Sequence, residues 1–330
     1  MFDFSGFENL TGGSDADTFN WSAGVSLSGV LNGGAGSDTL VGANVDNTWN
    51  ITNDNAGNLN GLVNFTSLEN LTGGSAADEF IFADGKSVNG TVSGAGGSDT
   101  SNYSAYTTTI TINRQNGAAT STGGFANIET VIGGTATDDT LIGADVANTW
   151  NITANNAGNI GGAFTFSFIE NLTGGGTADT FNWNAGVSLS GVLNGGAGSD
   201  TLVGANVANT WNITNDNAGN LNGLVNFTNI ENLTGNTLAD EFIFADGKGV
   251  SGTVDGAAGS DTLNYSAYTT TITINRQSGA ATNTSGYANI ENLIGGANSD
   301  TLIGADVANT WNITNDNAWN VGGTFTFSSI

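Results

Sequence analysis

The chain has 330 residues, 51 of them Gly, and it contains no Pro, Cys or His. Thirty acidic residues against four Lys and Arg give a formal net charge of -26, which repels nucleic-acid phosphates and anionic lipid headgroups. The composition therefore disfavours nucleic-acid and membrane partners, and it excludes disulfides, thiolate metal sites and Cys or His catalysis. With 38% hydrophobic residues, the chain should nevertheless fold.

The N-terminal residues show no secretion signal. Residues 1–4 (MFDF) have neither a basic nor a long apolar region, and a run of about 18 apolar residues occurs nowhere in the sequence. Residues 4–7 instead resemble residues 327–330. We therefore expect residues 1–7 to be the end of a preceding repeat and the chain to have no transmembrane segment.

A long internal repeat begins at Glu8. The segment ENLTGGSDADTFNW at position 8 returns as ENLTGGGTADTFNW at position 170. Residues 8–169 and 170–330 are therefore predicted to be two continuous copies, which differ in length by one residue near Asp138 and Asp139. Since residue 330 stops in the phase that precedes Glu8, we expect another copy to follow it in space, head to tail.

A shorter period runs inside each copy as a Gly-rich turn, an Asp and a strand-like run. These Asp residues lie at positions 17, 38, 78, 99, 139, 179, 200, 240, 261 and 300. Each follows the one before by one or two steps of about 20 residues. Asn-rich turns such as residues 53–58 occupy the steps that lack an Asp. Apolar residues alternate with period 2 in these runs, as Phe80 and Phe82 do, which indicates strands.

This periodicity predicts an all-β fold, a parallel β-helix or β-solenoid of the β-roll kind. The basic step gives about 20 residues per coil and about 16 coils, eight in each copy. The segment NTWNIT recurs around Trp49, Trp150, Trp211 and Trp311 at one phase of the coil. We expect these rings to fill the core or mark its wall rather than to line up as a ligand-stacking row.

The motif GGAGSD occupies residues 33–38 and 195–200 and resembles the Ca²⁺-binding nonapeptide of RTX proteins. Stacking should bring equivalent Asp residues of adjacent coils together, and their mutual repulsion requires a cation or open solvent. Two interpretations stay open: an Asx-turn role, and Ca²⁺ binding. The candidate metal residues are Asp17 with Asp38, Asp78 with Asp99, Asp179 with Asp200, and Asp240 with Asp261.

Other motifs favour structural roles. The Asn-x-Ser/Thr triplets recur at fixed phases, so stacked Asn ladders explain them better than glycosylation does. The Thr-rich run at residues 107–111 occurs in one coil of eight, which disfavours an ice-binding array. Acidic residues recur at turns, whereas an active site departs from the repeat, so we expect no enzyme, no catalytic residue and no cofactor apart from Ca²⁺.

The segments ENLTGG, GGAGSDTL and NTWNIT resemble the repeats of giant bacterial surface proteins, the β-strand-repeat, haemagglutinin-like and RTX-like adhesins. The resemblance covers nearly the whole chain and implies export, through type I secretion in many members, and an extracellular or cell-surface location. We expect an extracellular structural segment that stacks head to tail on copies of itself in a fibre, or forms the stalk of an adhesin. The alternative is a calcium-dependent adhesive module whose exposed solenoid face binds a glycan or surface.

Overall fold

A computed structural model describes residues 5–315 and 317–330, and the predicted interpretation of residues 1–4 lies outside this range. The described residues form 38 β-strands and no helix. They divide into two compact units, one of residues 5–142 and 162–170, the other of residues 143–161 and 171–330. The all-β class is therefore confirmed, and each unit is a solenoid of stacked, mostly parallel strands.

The first unit contains seventeen strands in three sheets. Their order is β1-β3-β7-β6-β5-β9-β11-β15-β19 in the first sheet, β2-β4-β8-β10-β14 in the second and β13-β12-β16 in the third. The strands are β1 (Leu10–Thr11), β2 (Thr18–Asn20), β3 (Val30–Asn32), β4 (Thr39–Val41), β5 (Asn47–Asn53), β6 (Ala56–Leu59), β7 (Val63–Thr66), β8 (Asn70–Thr72), β9 (Asp78–Phe82), β10 (Val88–Ser93), β11 (Thr100–Asn102), β12 (Thr111–Asn113), β13 (Ala118–Ala119), β14 (Thr122–Ala126), β15 (Thr130–Ile132), β16 (Thr140–Ile142) and β19 (Phe164–Ser167).

The second unit repeats this architecture. Its sheets have the orders β18-β17-β21-β23-β27-β29-β33, β20-β22-β26-β25-β24-β28-β30-β34-β38-β37-β36 and β32-β31-β35. The strands are β17 (Thr149–Ala154), β18 (Ala157–Ile160), β20 (Asn171–Gly175), β21 (Thr180–Trp183), β22 (Val192–Gly196), β23 (Thr201–Val203), β24 (Thr210–Asn215), β25 (Ala218–Leu221), β26 (Val225–Thr228), β27 (Asn232–Asn236), β28 (Glu241–Phe244), β29 (Thr253–Ala257), β30 (Thr262–Asn264), β31 (Thr273–Asn275), β32 (Ala280–Ala281), β33 (Gly286–Ala288), β34 (Asn292–Ile294), β35 (Thr301–Ile303), β36 (Trp311–Asn315), β37 (Ala318–Val321) and β38 (Phe325–Ser328).

Outside the hairpins, successive strands cross from one sheet to another, and each pairs in parallel with the equivalent strand of the next coil. In the first unit β1 pairs with β3 and β2 with β4, so Leu10 faces Leu31 and Phe19 faces Leu40. The central residue of each short strand points inward because side chains alternate across a strand. Stacking in register therefore aligns one apolar residue above another and builds a core that a single coil lacks.

The Asn-rich turns belong to hairpins, and this differs from the uniform coil that the sequence predicts. Strands β5, β6 and β7 form an antiparallel meander in one sheet, with Trp49 opposite Leu59 and Leu59 opposite Val63. Asn55 and Asn60 adopt positive φ of 51° and 55° at its turns, a conformation that Asn tolerates well. Equivalent hairpins begin at β12, β17, β24, β31 and β36.

The spacing between stacked residues consequently falls into two groups, one without and one with an intervening hairpin. Asp78 and Asp99 lie 21 residues apart, whereas Asn47 and Asp78 lie 31 apart because a hairpin intervenes. The extra strands stay within the same coil and do not start a new one. The constant coil length and the total number of coils that the periodicity predicts are therefore not confirmed.

Aromatic side chains fill the core at the hairpins. Trp49, Trp150 and Trp211 are fully buried, as the core interpretation of the NTWNIT segment predicts. Trp49 stacks on Phe80 with ring centroids 5.5 Å apart. Such pairs add about 0.5–1.5 kcal/mol to the free energy gained by burying the rings.

Candidate functional site

Polar side chains that directly precede the parallel strands form ladders inside each unit. In the first unit the ladder runs through Asn47, Asp78, Asp99 and Glu129. The backbone N–H of Asn47 donates to Oδ1 of Asp78 over 2.9 Å, and the N–H of Asp78 donates to Oδ1 of Asp99 over 2.8 Å. The N–H of Asp99 donates to Oε2 of Glu129 over 2.9 Å. Each carboxylate thus caps the strand before it.

The second unit holds two ladders of the same composition. One runs through Asn148, Asp179, Asp200 and Glu231, and the other through Asn209, Asp240, Asp261 and Glu291. A shorter ladder in the first unit contains Asp17, Asp38 and Glu69. The structure therefore brings together every Asp pair that the sequence predicts.

The Asn and Glu members of these ladders were missed by the sequence analysis. Their signal was present, because the Asn of NTWNIT and the Glu of ENL occupy the position before a strand, as the Asp residues do. The side-chain amide of the Asn at the end of the ladder also forms hydrogen bonds there. The amide Nδ2 of Asn209 donates to the carbonyl oxygens of Ala205 and Val207 and to Oδ1 of Asp240, at 2.7–2.9 Å.

The second carboxylate oxygen divides the Asp residues into two kinds. In one kind Oδ2 accepts an N–H from the turn, as Asp78 does from Gly74 over 2.6 Å and Asp240 from Asn236 over 2.9 Å. In the other kind Oδ2 is buried and has no hydrogen-bond partner among the described residues. These unpartnered oxygens belong to Asp38, Asp99, Asp179, Asp200 and Asp261.

The unpartnered oxygens pack against glycines of the GGxG turns. A Cβ added to Gly195 would lie 2.6 Å from Oδ2 of Asp200 and 1.9 Å from the carbonyl oxygen of Asn229. The corresponding contacts at Gly94 are 2.2 Å to Oδ2 of Asp99 and 2.1 Å to the carbonyl of Asn127. Glycine is required at these positions because the strands approach too closely for a side chain.

Burial raises the pKa of several ladder carboxyls. Desolvation is the largest cause for Asp200 and Asp261, whose pKa values rise to about 6 from 3.8, and neighbouring carboxyls add to the effect. Asp179 and Glu231 are the acidic neighbours of Asp200. Burial likewise raises the pKa of Asp78, Asp99, Asp139 and Asp179. Burial therefore favours the protonated form of these carboxyls more than water does.

The ladders do not fit the calcium cage that the RTX resemblance implies. Ca²⁺ requires six to eight oxygens at about 2.3–2.6 Å. Oδ1 of each paired Asp except Asp17 accepts a backbone N–H, and Oδ2 of Asp38, Asp99, Asp200 and Asp261 faces a glycine Cα instead of open space. In the part of the chain that the structure describes, no group of three or more acidic side chains is placed to hold a metal. Calcium binding stays a prediction from sequence.

A second candidate region lies at the edge strand β36. Trp311 is 38% exposed and Ile313 is 70% exposed. Their equivalents in the other NTWNIT segments, which include Trp211 and Ile213, are fully buried. On β2 and the following turn, Phe19, Trp21 and Leu27 line an open groove together with Leu10 of β1. Both regions therefore present apolar side chains that the repeat elsewhere buries.

Comparison with known proteins gives no relative. No protein-family model matches the chain, and no curated protein matches it. Within the described residues, no helix is long and apolar enough to cross a membrane. The ladders and the edge strands are therefore the features from which a function can be inferred.

Proposed function

We propose that this chain is an extracellular structural segment whose solenoid repeats stack head to tail on further copies. In a fibre the next copy belongs to a second chain, and in an adhesin stalk it belongs to the same chain. The proposal includes the repeat organisation at residues 8–169 and 170–330, in which hairpins widen some of the coils. Its partner is therefore another copy of the same repeat.

The observation that carries the proposal is the contrast in exposure between equivalent residues. Ile51, Ile152 and Ile213 are all fully buried, while Ile313 is 70% exposed in the same segment. Val307 is also 70% exposed, but its equivalent Val146 is 58% exposed inside the stack, so the exposure of this Val does not depend on the edge. The exposure of Ile313 is specific to the edge strand.

The unpaired edge supports the same conclusion. A strand such as β36 has unpaired backbone N–H and C=O groups, which readily pair with another strand. Edges that remain solvent-exposed in monomeric proteins are commonly protected by Lys, Pro or a bulge that blocks pairing. Residues 309–313 contain neither Lys nor Pro, and their sequence NTWNI matches the stacking segments inside the repeat. A heterologous contact that does not close on itself propagates into a filament.

The test is sedimentation and electron microscopy of the purified chain over a range of concentrations. We expect linear assemblies that grow with concentration, and we expect Ile313→Asp to abolish them because a charge would then be buried at the junction. Val307→Asp is the matched control and should leave assembly unchanged. Monomers at all concentrations, or equal effects of the two variants, would refute the proposal.

A chelator distinguishes the adhesive alternative. The stacking proposal uses no metal, so assembly and thermal unfolding should be the same with and without EDTA. A clear fall in melting temperature on chelation would instead favour the calcium-dependent module, because a ligand that binds only the folded state stabilises it.

A further inference from the structure

Trp49 and Trp211, which are buried in three-stranded NTWNIT hairpins, each have two aromatic neighbours with distinct geometry. Trp211 meets Phe227 of its own hairpin edge-on at 6.4 Å and stacks on Phe242 of the next parallel strand at 5.5 Å. Trp49 repeats this arrangement. Trp311 keeps the edge-on neighbour, Phe327 at 6.0 Å, but among the described residues no ring stacks on it. One face of Trp311 is therefore available.

The ladder is open at the same edge. Asn148 donates its backbone N–H and its Nδ2 to Oδ1 of Asp179 over 2.7 and 2.9 Å, and Asn209 does the same to Asp240. Asn309 makes the two internal bonds, to Ala305 and Val307. Within the described chain, its N–H and Nδ2 meet no carboxylate. At this edge the backbone N–H and Nδ2 of Asn309 therefore lack the Asp acceptor that Asn148 and Asn209 have.

The matching groups lie on the shorter ladder of the first unit and on β2. Asp17 occupies the position of Asp179, and Phe19 occupies that of Phe181, which stacks on Trp150 at 5.5 Å. Oδ2 of Asp17 accepts the N–H of Gly13 over 2.6 Å. No N–H of the described residues donates to its Oδ1. Asp17 and Phe19 therefore lack the two contacts that Asn309 and Trp311 can provide.

We propose that β36 of one copy pairs in parallel with β2 of the next, with Trp311 opposite Phe19. The register is that of β17 on β21, in which Trp150 faces Phe181 and Asn151 faces Asn182. This inference rests on the proposed head-to-tail stacking and specifies its interface. The partner is a second copy of this repeat.

This register supplies the contacts that Asn309 and Trp311 lack at one edge and that Asp17 and Phe19 lack at the other. Asn309 caps Asp17, the ring of Trp311 covers Phe19, and Ile313 packs against Trp21. The outward side chains also match: Nδ2 of Asn182 donates to Oδ1 of Asn151 over 3.0 Å, and Asn20 is placed to do the same to Asn312. A slip by one residue would turn each apolar side chain outward. The nearest competing register is a slip by two.

Cysteine cross-linking tests the register, because the chain has no Cys of its own. Chains carrying Asn312→Cys are mixed with chains carrying Asn20→Cys and oxidised. Directly paired residues on adjacent strands lie about 4.8 Å apart, within the Cα separation that a disulfide permits. We expect a covalent dimer. The control replaces Asn20→Cys by Thr18→Cys, which lies two residues away on the same face and should not cross-link.

The outcomes separate this inference from the function on which it rests. Cross-linking through Thr18→Cys, or assembly without either cross-link, overturns the register while head-to-tail stacking stands. No assembly of the unmodified chain overturns both. In addition, Asp17→Ala should weaken association about tenfold or more, because Asn309 then buries donors without an acceptor. An unchanged association constant for Asp17→Ala would contradict the proposed cap.

Discussion

Two copies of one segment in the second unit have different environments. Around Trp211 a parallel strand covers the indole, caps the ladder with Asp240 and excludes Ile213 from solvent. Around Trp311 the same residue types leave the ring 38% exposed, and Asn309 donates to no carboxylate of the described residues. The local sequence is nearly identical, so the difference arises from the neighbouring strand. Burial in this solenoid is a property of the stack and not of the segment.

The largest expected effect comes from truncating the two rings. Trp211→Ala should lower the free energy of unfolding by about 3–5 kcal/mol, because it leaves a cavity beneath Phe242. Trp311→Ala should lower it by about 1 kcal/mol or less, since the ring is partly exposed and lacks its stacked partner. Urea unfolding at concentrations where the chain is monomeric measures both. Equal losses of unfolding free energy in the two variants would contradict the difference between a Trp inside the stack and one at its edge.

The buried carboxyls give the next effect, a dependence of stability on pH. The pKa of Asp200 is 3.8 ordinarily and rises to about 6 through burial, so the folded state keeps a proton that the unfolded state has released between these values. The free energy of unfolding therefore falls as the pH rises from about 4 to about 6. The expected loss is about 3 kcal/mol for Asp200, which is fully buried.

Melting temperatures between pH 4 and pH 7.5 at constant ionic strength test this dependence. Asp200→Asn should flatten the curve, because the amide cannot lose a proton and still offers an oxygen to the N–H of Asp179. Asp15→Asn, at an exposed position, serves as the control and should leave the curve's shape unchanged. Stability that increases from pH 4 to pH 6 would contradict a protonated ladder.

A smaller effect is expected from replacing the glycines that contact Oδ2 of the ladder Asp residues. Gly195→Ala should destabilise the chain by about 1–3 kcal/mol, because its Cβ would collide with Oδ2 of Asp200 and with a backbone carbonyl. Gly96→Ala is a matched change in a GGSD turn, where the nearest atom lies at 3.7 Å, and should have little effect. Thermal unfolding of the two variants compares them directly. A well-tolerated Gly195→Ala would mean that the ladders have room for other atoms.

The smallest effect concerns the Asn that ends each ladder. Asn148→Ala removes three side-chain bonds, one of them to Asp179, whereas Asn309→Ala removes only the two to backbone carbonyls. The two variants should differ by about 1 kcal/mol, which is the usual contribution of one hydrogen bond. Chemical unfolding of dilute samples measures this difference. An identical loss would show that the bond to Asp179 adds nothing.

The sequence could predict the parts of this structure that depend on periodicity. Alternation at Phe80 and Phe82 indicates a strand wherever the chain runs, and the spacing of Asp78 and Asp99 equals one stacking step. The hairpins could not be separated from coils in this way. A turn such as residues 53–58 has the same composition whether the next strand crosses to the other sheet or folds back in the same one.

The sequence also could not show whether the Asp oxygens of the GGAGSD turns face an open cavity. GGAGSD resembles a calcium motif because both uses need an acidic side chain beside a Gly-rich turn. Only the packing of Asp200 against Gly195, with its Oδ1 engaged by the N–H of Asp179, reveals an oxygen that faces a Cα instead of an open cavity.

By itself, the sequence determined the strand class, the repeat and the set of residues that line the core, since these follow from local alternation and from self-similarity at fixed spacing. The tertiary structure decided which strands fold back, which Asn and Glu complete the ladders and which apolar side chains remain uncovered. These depend on the strand stacked above or below, and the residues of that strand lie 21 to 35 positions away.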